Sequence, residues 1–105
     1  MQPDPRVIDR FVQTVVTAVS PLRIILFGSA ARGEVREDSD VDLLVVMPPG
    51  THRRKTAQRL YRQLVGLGVP FDIVVATSED LELHRSNPGL IYGTILREGR
   101  EVYAT

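Results

Sequence analysis

The chain has 105 residues, enough for one domain with a single hydrophobic core. Its thirteen basic residues balance thirteen acidic ones, so no overall positive field favours nucleic acids or acidic membranes. Because the sequence contains no cysteine, disulfide bonds, cysteine-based zinc sites and cysteine nucleophiles are excluded.

The apolar runs of the sequence are too short to cross a membrane. The polar segment 1–9 carries two prolines and lacks the apolar core of a signal peptide. The longest apolar run, 41–49, is interrupted by Asp42 and is far shorter than a bilayer-spanning helix. We therefore expect a soluble, cytoplasmic protein that does not engage membranes.

Hydrophobic periodicity predicts three strands interleaved with helices, the second of them central in the sheet, followed by a short edge strand. Apolar residues at helical spacing indicate the helices, and β-rich apolar runs closed by glycine or proline indicate the strands. In chain order, the predicted elements are a helix at 6–19, a strand at 22–27, a short helix at 29–35, a charged loop at 34–40, a strand at 41–47, a helix at 51–67, a strand at 71–76, a helix capped by Thr77 or Ser78, a helix at 90–96 and an edge strand at 101–104. With no repeat or linker between them, residues 1–105 are predicted to form a single domain.

Three aspartates lie at the predicted starts of strands, where charge is unusual. Asp40 and Asp42 flank Val41, and side chains two residues apart on a strand point to the same face. Two adjacent carboxylates repel, and the apolar run behind Asp42 makes their burial costly unless a cation compensates the charge. Asp72, the second residue of the third strand, repeats the pattern. Oxygen ligands suit magnesium or manganese, so these three aspartates are the predicted metal ligands and catalytic residues.

Gly28-Ser29, at the end of the first strand, is the predicted phosphate site. Glycine there lets the backbone approach a ligand closely. The residues that follow are predicted to open a helix, whose free N–H groups suit phosphate oxygens, and the Ser29 hydroxyl adds a donor. For Ser29 alone, an ordinary helix cap is the alternative. Arg32 is a further nucleotide-binding candidate, although a surface ion pair with Glu34, Glu37 or Asp38 is slightly favoured.

Convergence of these residues constrains the sheet. Gly28-Ser29 lies at the outgoing end of the first strand, whereas the aspartates lie at the incoming ends of the second and third. They meet at one edge only if the first strand runs antiparallel to the other two, which are then parallel and joined by a helical crossover. The predicted fold is therefore α/β (α+β), a small mixed sheet with helices packed on it. The implied reaction is metal-assisted phosphoryl-group transfer, with Asp72 placed to help take the proton of the attacking oxygen.

These motifs resemble the signature of the polymerase-beta-like nucleotidyltransferase superfamily. The Gly-Ser pair at 28–29, ten intervening residues and the Asp-x-Asp run at 40–42 match its spacing, and Asp72 matches its third carboxylate. The closing run at 95–103 is similar to the end of minimal members of this superfamily. One departure is Ala30, where many relatives have arginine or another larger polar residue, so the resemblance does not extend to phosphate or base contacts from that position.

The resemblance implies an enzyme that transfers AMP from ATP to a hydroxyl group. Carried over residue by residue, it implies triphosphate binding at Gly28 and Ser29, and two magnesium ions, or manganese, at Asp40, Asp42 and Asp72. Many minimal members are antitoxins encoded beside a helical HEPN-type ribonuclease toxin, and they transfer AMP to a tyrosine of that toxin. The implied role is that of an AMPylating antitoxin with a HEPN toxin as its partner.

Two other classes of function stay open. The chain could neutralise a toxin by covering it, with the first helix and the segment 81–96 offering apolar surface. It could instead transfer a nucleotide to a small molecule or to an RNA end, where a homodimer would supply the missing wall of the site. Neutral overall charge speaks against tight RNA binding.

Several residues receive no part in the predicted site. A solvated turn is the alternative for Asp40 and Asp42, but their register with the other motif residues argues against it. The basic face of the second helix is most simply a solvated face. The histidines at 52 and 84 are assigned no role, and the tyrosines at 61, 92 and 103 are predicted to be packing residues.

Overall fold

A computed structural model of the protein shows strands and helices that follow the periodicity of the sequence. The structure describes residues 5–28, 41–84, 87 and 91–105. The helices that lie wholly within these ranges are α1 (Pro5–Val19), α2 (Arg53–Leu64), α3 (Ser78–His84) and α4 (Ile91–Glu98). The strands are β1 (Arg23–Phe27), β2 (Val41–Met47), β3 (Phe71–Thr77) and β4 (Arg100–Ala104).

The four described strands form one sheet in the order β3-β2-β1-β4. Strand β1 pairs antiparallel with both β2 and β4, whereas β2 pairs parallel with β3. The sequence predicted this mixed sheet, because only such strand directions bring the candidate site residues to one edge. That prediction is confirmed. The positions of β2 inside the sheet and of β4 at its edge are also as predicted.

Alternation along β2 divides the hydrophobic core into two layers. Its odd-numbered residues join a cluster with α1 and α2, whose buried members include Phe11 and Leu60. Leu44 and Val46 join a second cluster, on the other face, with Leu81 of α3 and Ile95 of α4. Helices on both faces explain why this strand is apolar on both sides.

The apolar stripe of α1 is buried in the hydrophobic core. Ile8, Phe11 and Val15 are buried against the sheet and α2. Leu81 and Ile95 are buried on the other face. Much of the surface predicted to be available for covering a partner is therefore core, because amphipathic faces pack first against their own sheet.

The predicted boundaries hold to within a residue or two, except at α2. The predicted helix at 51–67 begins instead at Arg53, because His52 is its cap: the Lys55 N–H donates to His52 Nδ1 at 3.2 Å. His52 therefore has a structural role as a helix cap, which the sequence did not indicate. At the other end, Val65–Leu67 is a short 3-10 turn closed by Gly68. The predicted short helix at 29–35 and the loop at 34–40 lie outside the described residues.

A reciprocal pair of hydrogen bonds caps α3, as predicted for Thr77. The Asp80 N–H donates to Thr77 Oγ1 at 3.0 Å, and the Thr77 N–H donates to Asp80 Oδ2 at 2.9 Å. The Thr77 N–H is the largest cause that holds the pKa of the Asp80 carboxyl below its ordinary value of 3.8. The same oxygen pairs with Arg53 Nη1 at 3.2 Å, so the starts of α2 and α3 are tied together.

None of the helices within the described ranges is both long enough and apolar enough to cross a membrane.

Leu64 and Leu83 offer a matched test of the core beneath α2. Leu64 is 0% exposed, whereas Leu83 on α3 is 69% exposed. We expect Leu64→Ala to lower the free energy of unfolding by about 2–5 kcal/mol, because it removes packed methyl groups and leaves a cavity. Leu83→Ala should change it by less than about 0.5 kcal/mol. Urea unfolding followed by circular dichroism measures both, and equal losses would contradict the described core.

Candidate functional site

The sheet brings Gly28, Asp42 and Asp72 together at one end. Phe27 pairs with Asp42 across β1 and β2, so Gly28 follows directly beside that aspartate. Asp42 pairs in register with Asp72 across the parallel strands β2 and β3. Neighbouring strands lie about 4.8 Å apart, and in-register residues of parallel strands share a face. The two aspartates are therefore neighbours on the face that α3 and α4 cover further along the strands.

Gly28 is needed at its position for two independent reasons. Its φ is +72°, in the left-handed region that side chains with a Cβ disfavour. A Cβ built on Gly28 would also overlap Oδ2 of Asp42 and lie 3.1 Å from its Cγ. The sequence predicted close approach of the backbone to a ligand; the structure shows close approach to a carboxylate of the site itself.

The third candidate carboxylate, Asp72, is exposed and hydrogen-bonded on one oxygen. Its Oδ1 accepts from the Tyr61 hydroxyl at 2.9 Å and from the Ile73 N–H at 3.0 Å. Asp42, by contrast, is partly buried. The site is thus open to solvent at Asp72, which is the side from which an acceptor group could approach.

Tyr61 contributes to this site in a way the sequence did not reveal. It was predicted to be a packing residue, and its ring does pack on Phe71, with centroids 5.0 Å apart. Its hydroxyl, however, donates to Asp72. Burial first, and then the hydrogen bond to Asp72, raise the pKa of Tyr61 above 10.0, so the hydroxyl stays protonated and donates at neutral pH. Because the pair joins a helix to a strand, no short sequence motif could have indicated it.

Ser29, Arg32 and Asp40 lie outside the described residues, so their predicted roles stay predictions. Within the described ranges, no group of three or more histidines and acidic residues gathers to hold a metal ion. Asp42 and Asp72 are the two members of the predicted set of three that the structure describes, and it brings them together.

The described residues fit a hard divalent cation. The donor set consists of carboxylate oxygens on adjacent strands, the ligand type that magnesium and manganese prefer. Like charges at neighbouring positions of adjacent strands repel each other, and a bound cation would relieve the repulsion. Gly28 leaves the Asp42 carboxylate the room that any other residue would fill. Asp42, Asp72 and the predicted Asp40 are accordingly the residues that would hold such an ion.

Comparison with known proteins shows which family and which relatives the chain is similar to. The model of the nucleotidyltransferase domain family matches residues 8–100. A protein of Methanocaldococcus jannaschii, described as a protein adenylyltransferase, is 38% identical over 79 residues, which cover 70% of this chain and 53% of that protein. The chain therefore spans about half the length of this relative.

Two solved structures have the same fold. A protein from Sulfolobus solfataricus, described as a nucleotidyltransferase, matches 94% of this chain and 78% of its own with a TM-score of 0.61 and 18% identity. A toxin–antitoxin solved with AMP-PNP matches 92% of this chain and 73% of its own with a TM-score of 0.56 and 22% identity. These similarities confirm the predicted nucleotidyltransferase fold.

Substitution of Gly28 tests whether room for the Asp42 carboxylate is what the glycine provides. Gly68 is a matched control, because its φ of +73° is nearly identical but a Cβ there would have no neighbour within 4 Å. We expect Gly28→Ala to lower the free energy of unfolding by about 1–3 kcal/mol more than Gly68→Ala does, since only the first adds a steric clash. Urea unfolding of both variants measures the difference. Equal losses would mean that the carboxylate moves aside without cost.

Proposed function

Because this chain belongs to the nucleotidyltransferase domain family, we propose that it transfers AMP from ATP to a hydroxyl group of a partner protein. The observation that carries the proposal is the in-register pairing of Asp42 with Asp72, next to the glycine that leaves room for the first carboxylate. Such a pair, open to solvent on one side, suits a reaction whose phosphate charge needs a divalent cation.

The proposed roles follow from the positions of Gly28, Asp42 and Asp72 in the structure and, for the other residues, from the sequence motif. Asp42 and Asp72, together with Asp40, would hold two magnesium ions, with manganese as an alternative. Gly28 and the Ser29 side chain would contact the triphosphate, and Arg32 is a further candidate for that contact. When bound, the metal ions neutralise phosphate charge and lower the pKa of the attacking hydroxyl.

Asp72 is the carboxylate proposed to help take the proton of the acceptor hydroxyl. It is exposed, whereas Asp42 is partly buried, so an acceptor carried by another protein reaches Asp72 first. Because hydrogen bonds to Tyr61 and Ile73 use Oδ1, the remaining oxygen is the one left to face the reaction.

The proposed acceptor is a tyrosine of a HEPN-type toxin, which makes the protein an AMPylating antitoxin. Support comes from the relative described as a protein adenylyltransferase and from the similarity to a toxin–antitoxin solved with an ATP analogue. The resemblance of the Gly-Ser and Asp-x-Asp motifs to those of minimal antitoxins points the same way.

A non-catalytic antitoxin, which neutralises a toxin by covering it, is the second candidate. Leu83 and Val65 are the observations in its favour, because these large apolar side chains are exposed. Burial of the apolar stripe of α1 counts against it.

Transfer of AMP can be measured directly. Purified protein is incubated with labelled ATP, magnesium and the candidate toxin encoded beside it, and the toxin's intact mass is then determined. We expect Asp42→Asn to lower the rate about a hundredfold or more, because a metal ligand contributes several kcal/mol of charge stabilisation. Asp9→Asn, an identical change on the exposed face of α1, is the control and should leave the rate unchanged.

Full activity of Asp42→Asn would show that the carboxylate pair is not the catalytic centre. A tight complex with the toxin but no gain of mass would favour the covering antitoxin. If the protein neither binds the toxin nor transfers AMP to it, small molecules and RNA ends become the acceptors to test.

A further inference from the structure

At the edge of the sheet, a residue of helix α2 donates a hydrogen bond to the Asp72 carboxylate. Strand β3 is at the edge of the described sheet, and α2 lies against it. The Tyr61 hydroxyl donates to Asp72 Oδ1 at 2.9 Å, and the Ile73 N–H donates to the same oxygen at 3.0 Å. We propose that Tyr61 is a positioning residue, which fixes Oδ1 of Asp72 and so leaves Oδ2 oriented for a divalent cation. This inference rests on the proposed function.

Tyr61 is anchored well enough to position another group. Its ring packs on Phe71, with centroids 5.0 Å apart, and Phe71 in turn packs on Phe11, with centroids 5.7 Å apart. Phe11 is fully buried in the core. The residue before Tyr61, Leu60, is fully buried as well and fixes α2 against the sheet. The hydroxyl is therefore carried on a ring whose place is set by the core, although the side chain is 40% exposed.

Asp72 would be the metal ligand, and Tyr61 is the hydrogen-bond partner that supports it from outside the metal's coordination shell. Carboxylates that bind metals are commonly hydrogen-bonded through their other oxygen, which restricts their rotation before the ion arrives. Asp72 needs such restriction more than Asp42 does, because it is exposed and lies on an edge strand. Asp42 lies next to the backbone of Gly28 and is set within the sheet.

Tyr61→Phe tests the proposal, because it keeps the ring on Phe71 and removes only the hydroxyl. The probe is Mn²⁺ alone, with the free ion measured by electron paramagnetic resonance, so neither nucleotide transfer nor a partner is needed. We expect Mn²⁺ to bind about 10–100-fold more weakly, the usual effect of losing an outer hydrogen-bond partner of a ligand. The urea midpoint should stay unchanged, since the exposed hydroxyl's contact with Asp72 is replaced by water.

Tyr103→Phe is the matched control. Tyr103 lies on β4, at the opposite edge of the sheet from β3, so the same loss of a hydroxyl there should leave Mn²⁺ affinity unaltered. A second comparison separates positioning from general damage. In an Asp72→Asn background, Tyr61→Phe should have no further effect on Mn²⁺ affinity, because the hydroxyl acts through that carboxylate.

The outcomes distinguish this inference from the proposed function. If Asp42→Asn abolishes Mn²⁺ binding while Tyr61→Phe binds as the unaltered protein does, Tyr61 is not a positioning residue and the proposed function stands. Tighter binding by Tyr61→Phe would also overturn the inference, since the hydroxyl would then hold Asp72 away from the cation. If Asp42→Asn binds Mn²⁺ normally, the proposed metal site itself is wrong.

Discussion

The parallel register between β2 and β3 is the constraint on which the rest of the site depends. It places Asp42 beside Asp72, so two negative charges share one end of the sheet. A shift of one residue would turn the β3 side chains to opposite faces and separate the carboxylates. The same shift would remove Ile73 from the core cluster, so packing of the apolar residues holds the register that the charges require.

The two-layer core makes this register stable. Because β2 is apolar on both faces, α1 and α2 cover one side and α3 and α4 cover the other. Packing in both core layers offsets the cost of placing a partly buried carboxylate at the end of such a strand. The antiparallel strand β1 then delivers Gly28 next to Asp42, where the absence of a Cβ gives the carboxylate its room.

Helix α2 joins the stability of the fold to the geometry of the site. Its buried leucines hold it against the sheet, and the neighbouring Tyr61 reaches the edge strand and donates to Asp72. The start of the same helix is tied to α3 through Arg53 and Asp80. A single element thus fixes the crossover between β2 and β3 and supports one of the carboxylates at its end.

Spacing within the sequence was sufficient for the described elements and for the direction of the strands. Hydrophobic periodicity and turn residues are local features of the sequence, so they indicate the individual helices and strands. Gly28 can lie beside the aspartates only if β1 runs antiparallel to β2 and β3, so this requirement set the strand directions. The contact of Tyr61 with Asp72 was decided by tertiary structure alone, because it depends on how α2 packs on the edge of the sheet. The cap at His52 is local, but histidine is not among the residues that usually cap helices, so the sequence did not indicate it. Side-chain meetings between separate elements depend on packing, which no local pattern in the sequence encodes.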